Sequence, residues 1–197
     1  MNRKIILASS SPGRIEIMKR HGFDPLIRPT DIKETLPEHI SAKDAVMFLA
    51  LKKALAAEQM AKAQNLDGSL IIAADTVVYK DSILGKPRDR KDAFEMLSKI
   101  RNTDHQVATG VAILTAGESI RTVLYDVTRV YCKNYTDQEL NAYLDTTEPY
   151  DKAGAYAIQG IFGKYIDHYE GSFDTVVGFP WELIEPKLVS IDRKSVV

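Results

Sequence analysis

The run Leu70-Ile71-Ile72-Ala73-Ala74-Asp75-Thr76-Val77-Val78-Tyr79 decides the fold class. It reads as a strand buried on both faces, interrupted by one polar pair, Asp75-Thr76, and such strands belong to sheets covered by helices. Working upstream, Ser41 with Asp44 marks a capping box for a long helix in which Ala45, Phe48, Leu49 and Leu55 recur at helical spacing. Ile5-Ile6-Leu7 is a short buried strand, and Asp24–Pro29 a second. Between them Ser11 is placed to cap a helix with Pro12 at its first position, turning Ile15, Ile17 and Met18 inward and ending at Gly22.

Downstream, Lys80-Asp81-Ser82 is a turn and Gly85-Lys86-Pro87 a rigid loop. Ala93, Phe94, Leu97 and Ile100 define an amphipathic helix, and two strand runs, Gln106–Leu114 and Ile120–Tyr131, meet at the hairpin Ala116-Gly117-Glu118. Thr136 with Glu139 opens a helix to about Leu144, Thr147 to Phe179 reads as loop and short strand, and Pro180 opens a last helix through Leu188. Alternating units in the first half and hairpins in the second predict an α/β fold with a mixed, twisted sheet and flanking helices. No repeat or linker divides the chain, so residues 1–197 are expected to form a single domain.

Composition narrows the function classes. The chain of 197 residues is 45% hydrophobic and 27% charged, the balance of a globular protein. Its 26 Lys and Arg against 27 Asp and Glu leave a formal charge of −1, which argues against stable nucleic-acid binding. One cysteine, Cys132, excludes an internal disulfide or a multi-thiolate zinc site. The four histidines show no HxH or HExxH spacing, which argues against a zinc hydrolase. No membrane span or signal peptide is legible, so a cytoplasmic protein is the expectation.

Several places carry possible chemistry. The strand, serine-rich bend and helix start around Ser9, Ser10 and Ser11 present free N–H groups, and Arg14 lies one turn in. This is an anion site in outline, or else a well-capped helix with an exposed arginine. Asp75 is expensive to bury unless paired or bound to a metal, and strand C-termini are where ligands gather. The bland alternative is a turn-capping or lysine-paired aspartate. Lys86 and Lys152, in stiff or irregular loops, are either ligand-binding cations or ordinary surface lysines; Lys53, four residues after Leu49, is equally explained by snorkelling. Glu34 is either a metal ligand or solvated. Together these residues indicate a phosphate-bearing ligand and hydrolysis assisted by a hard divalent cation.

Several blocks resemble the Maf family of nucleotide pyrophosphatases: Leu7-Ala8-Ser9-Ser10-Ser11-Pro12-Gly13-Arg14, Ala74-Asp75-Thr76-Val77-Val78, Gly85-Lys86-Pro87 and His105-Gln106-Val107-Ala108-Thr109-Gly110. The likeness continues through Glu148-Pro149-Tyr150-Asp151-Lys152-Ala153-Gly154-Ala155-Tyr156-Ala157-Ile158-Gln159-Gly160 and Val176-Val177-Gly178-Phe179-Pro180. The resemblance implies two lobes around a cleft, related to the inosine-triphosphate pyrophosphatase fold, and cleavage of nucleoside triphosphates to monophosphate and pyrophosphate with Mg²⁺ or Mn²⁺. It implies Asp75 as proton acceptor, Glu34 and Asp75 as metal ligands, and Ser9, Ser11, Arg14, Lys53, Lys86 and Lys152 around the phosphates. Thr76 and Gln159 resemble the branch preferring dTTP and UTP. The chain departs from the family at Gly13, where an arginine is usual in that branch; Arg28 and Lys33 are candidate replacements. A homodimer is also implied. The competing reading is a catalytically impaired nucleotide-binding regulatory module linked to septum formation and cell division, for which Gly13 is the sequence support.

Overall fold

The computed structural model describes residues 3–194. The chain alternates strand and helix from β1 (Ile5–Leu7) through α1 (Pro12–Arg20), β2 (Leu26–Ile27), α2 (Ala42–Ala63) and β3 (Leu70–Lys80). It continues with β4 (Ser82–Leu84), α3 (Arg90–Ile100), β5 (Asp104–Thr115), β6 (Arg121–Cys132), α4 (Asp137–Leu144), β7 (Ile166–Glu170), α5 (Phe173–Val177) and α6 (Trp181–Lys194). The sheet is mixed, in the order β2-β1-β3-β5-β6-β7 with β4 on β3. β1 runs parallel to both β2 and β3, placing Ile6 beside Ile71, whereas β3–β4 and β6–β7 are antiparallel. This is the α/β architecture that the sequence predicts.

The residues divide into two compact units, one of Met1–Asp75, Thr109–Asp126 and Gly178–Val197, the other of Thr76–Ala108 and Val127–Val177. In the first unit the apolar face of α2 is built from small residues. Ala50, Ala54, Ala57 and Ala61 are buried with Ile6, Ile71, Ala73, Ala112 and Leu114. Phe48 and Leu55, expected inside on spacing alone, are 42% and 40% exposed. Small side chains let the helix approach the sheet closely, and Gly110 takes this to its limit: a Cβ there would collide with the backbone carbonyl of Val46.

The first helix ends as expected and begins differently. Gly22 has φ +81°, its N–H bonds the Lys19 carbonyl, and the Phe23 N–H bonds the Met18 carbonyl, a Schellman arrangement. Ser11 holds the N-cap position with Pro12 after it, but its side chain caps nothing; its N–H donates to Ser9 Oγ at 3.2 Å. At α2, Ser41 Oγ accepts from the Asp44 N–H and donates to the Asp44 carboxylate, half of a capping box. The box at Thr136 and Glu139 is complete.

In the second unit α3, α4 and an aromatic group share a core. Phe162 is fully buried, with the rings of Tyr135, Tyr143, Tyr156 and Tyr165 between 5.0 and 5.5 Å from it. His105 donates to or accepts from the Tyr156 hydroxyl at 2.7 Å, and burial drives its imidazole down to about 4. The stretch after α4 is more ordered than loop and short strand. It folds as short 3₁₀ turns at Glu148–Asp151, Ala153–Ala155 and Ile161–Tyr165, then β7 and α5. The last helix runs past Leu188 to Lys194 with Pro186 inside it. No helix among the described residues is long and apolar enough to cross a membrane.

Replacing Gly110 by Ala should cost about 1–3 kcal/mol, the usual range for overpacking against atoms that cannot yield. In a chain of this length that is about 2–4 °C of Tm per kcal/mol in thermal denaturation. An unchanged Tm would show that α2 is not seated on β5 in this way.

Candidate active site

The first unit gathers five of the residues singled out in the sequence. Asp75 lies midway along β3 and not at its end as the sequence suggests, with Val77 and Val78 buried beyond it, and is only 7% exposed. Lys53 lies on the same face of α2 as Ala50 and Ala57, so the helix directs its stem at the middle of β3. Its Nζ meets Asp75 Oδ1 at 2.5 Å and Glu34 Oε1 at 2.7 Å. The snorkelling reading of Lys53 therefore gives way to an ion-paired ammonium shared by two carboxylates, one buried and one half-exposed. Arg14 is committed as well: Nη1 donates to the Ala74 carbonyl at 2.7 Å and to Ser9 Oγ at 3.3 Å, and Nε donates to the Gly178 carbonyl at 2.9 Å. The alternative of an exposed arginine therefore fails: the side chain clamps from α1 onto the peptide preceding Asp75.

Electrostatics follow from this packing. Burial pushes the Asp75 carboxyl above the ordinary aspartate range, while the charge and hydrogen bond of Lys53 and the charge of Arg14 hold it back. Burial likewise lowers the Arg14 guanidinium, against the pull of Asp75 and Glu34. Because the folded chain holds the Asp75 proton more tightly than the unfolded chain, this group costs stability as pH rises from the ordinary aspartate range through its raised value.

The second unit holds Lys86, Lys152, Thr76 and Gln159. Lys86 is exposed in the loop after β4, and Lys152 lies between the first two 3₁₀ turns, where its Nζ contacts Asp151 at 2.6 Å. The two loops are joined, for the Gly154 N–H donates to the Gly85 carbonyl at 2.9 Å. Gly154 has φ +68°, and a Cβ there would press on Val78. Thr76, half-buried, directly follows Asp75 on β3, and Gln159 is exposed ahead of Gly160. Gly13 occupies the second position of α1. Of its candidate replacements, Arg28 donates to its neighbour's carbonyl, Ile27 O, at 3.0 Å, and the Lys33 carbonyl accepts from Lys52.

Two contributors escaped the sequence reading as functional residues. Gly178 offers a backbone carbonyl to Arg14, which no side-chain pattern can announce. Glu148 spends its carboxylate on the backbone after Gln159. Its one outward signal is the glycine at position 160, where a side chain would strike it.

A family model described as Maf-like protein matches residues 4–190. The chain belongs to the Maf-like protein family. It is 42% identical over 179 residues to the dTTP/UTP pyrophosphatase of Caldicellulosiruptor bescii, covering 90% of this chain and 89% of that protein. The dTTP/UTP pyrophosphatase of Acetivibrio thermocellus is likewise 42% identical, over 90% of each chain. The Bdellovibrio bacteriovorus protein of that name is 36% identical over 94% of this chain and 97% of its own. Among solved structures, the Ham1 protein of Staphylococcus aureus overlays 83% of this chain and 91% of its own, with TM-score 0.44 and 15% identity.

Followed by carbon-13 NMR, the Asp75 carboxyl should titrate above the usual aspartate range. Lys53→Met should move it higher still, since the largest influence opposing burial is gone. A titration at or below the ordinary range, or a downward move in the variant, would contradict the burial argument.

Proposed function

We propose that this chain hydrolyses dTTP and UTP to the nucleoside monophosphate and pyrophosphate in the cytoplasm, assisted by Mg²⁺ or Mn²⁺. The observation that carries the reading is the buried Asp75 paired with Lys53, in a chain whose relatives named dTTP/UTP pyrophosphatase align over nine-tenths of its length.

Asp75 accepts the proton of the attacking water. A raised proton affinity suits that task, because a general base works best when its pKa approaches the working pH. Lys53 orients the carboxylate by holding one of its oxygens. Arg14 fixes the Ala74 peptide and adds positive charge beside the site. Ser9 Oγ already accepts from Ser11 and Arg14, so its own O–H is left to donate to a phosphate oxygen. Ser11, whose hydroxyl does not cap α1, supplies a second donor. Lys86 and Lys152 neutralise the triphosphate, a contact common to every nucleotide.

Glu34 and Asp75 present hard carboxylate oxygens to one cation, the Lys53 ammonium, and this donor set suits Mg²⁺ or Mn²⁺. Among the described residues no group of three or more His, Cys, Asp and Glu is gathered for a metal. Substrate phosphates and water would complete the coordination, as Mg²⁺ accepts. When bound, the ion supplies charge neutralisation at the phosphates and a more acidic water. Thr76 and Gln159 read the base: an amide both donates and accepts, as O4 and N3–H of thymine or uracil require.

Asp75→Asn should lower kcat for dTTP by about 100-fold or more, the range for removing a general base, while nucleotide affinity by calorimetry survives better. Near-normal kcat would remove Asp75 from the mechanism. Saturable binding with no product from the unmodified protein would favour a regulatory module instead.

A further inference from the structure

Glu148 opens the first 3₁₀ turn, yet its side chain is spent thirteen and fourteen residues downstream. Oε2 accepts the Ile161 N–H at 2.7 Å, and Oε1 accepts the Phe162 N–H at 3.2 Å. These are leading N–H groups of the Ile161–Tyr165 turn, which have no partner within the turn itself. The contact leaves no room at Gly160, where a Cβ would fall on the Glu148 carboxylate. On one side the clamp is anchored in the core, since Phe162 is fully buried among tyrosines. On the other side it ends at the exposed Gln159, one residue before Gly160. Tyr143 adds a second tie. Its hydroxyl lies 3.1 Å from Glu148 Oε1 and 3.1 Å from the Ala155 carbonyl, in the turn that follows Lys152.

We propose that Glu148 is a positioning residue for base selection: its carboxylate fixes the Gln159-Gly160 peptide, and through it the amide that reads the pyrimidine edge. The inference rests on the assignment of Gln159 to base readout. A carboxylate is required because both oxygens accept backbone N–H groups. A glutamine offers one acceptor and one NH₂, which would face a backbone N–H without bonding it. A loosened loop leaves Gln159 unable to reward the correct base or penalise a wrong one, so discrimination falls before phosphate handling does.

The test is the ratio of kcat/KM for dTTP to that for CTP, with Tm recorded for each variant. Glu148→Gln should reduce the ratio about tenfold, the size of one charge-assisted hydrogen bond. Gly160→Ala should act in the same direction with Glu148 intact, and it carries the readout alone should Glu148→Gln fail to fold. In a Gln159→Ala background, Glu148→Gln should reduce the ratio no further. If Gln159→Ala changes the ratio but Glu148→Gln and Gly160→Ala lower both nucleotides equally, Glu148 is structural only and the proposal is overturned. If Gln159→Ala leaves the ratio untouched, the assignment of base readout to Gln159 has failed, and this proposal with it.

Discussion

The shared ammonium of Lys53, held between a buried carboxylate and a half-exposed one, is the constraint on which the rest of the first unit depends. A carboxylate within an apolar strand is costly to desolvate, and more so when left uncompensated. The lysine must therefore arrive at a fixed depth, which only a closely seated helix can arrange. The alanine face of α2 and the missing Cβ at Gly110 provide that approach. Arg14 then secures the peptide before Asp75 from α1. Packing that looks unrelated to chemistry is what places the charged atoms.

Much of this was legible in the residues, and the gaps have identifiable causes. Asp75 stood out because it interrupts an apolar run, and the strands predicted at Ile5–Leu7 and Leu70–Tyr79 are present, paired in parallel with each other. Lys53 was ambiguous because a lysine beside an apolar stripe either snorkels or pairs, and only the position of β3 decides between them. Phe48 and Leu55 were misplaced by size: the close approach of α2 selects alanine for the interface and leaves the large side chains outside. Two lobes were implied by the family resemblance, but the boundaries of the two units were not legible, for a different reason. They fall within β3, β5 and β6 and just before α6, not in linkers, so no change in composition marks them.

In the second unit the division of labour runs between backbone and side chain. Its glycines act through space they leave open: Gly154 accommodates Val78 and Gly160 accommodates Glu148. Conversely, the His105-to-Gly110 block, one of those that carry the family resemblance, serves packing at both ends, through Tyr156 and through Val46. A neutral imidazole with a hydroxyl partner is a core element here. The departure at Gly13 leaves α1 intact, because the Pro12 start and the Schellman end hold without it.

The central claim concerns which bond the protein breaks and for which nucleotide, and phosphorus-31 NMR of a reaction with dTTP and Mg²⁺ addresses it most directly. The account predicts equimolar dTMP and pyrophosphate, with UTP processed comparably and CTP and 7-methyl-GTP more slowly. Release of orthophosphate with dTDP, or a preference for 7-methyl-GTP, would contradict it.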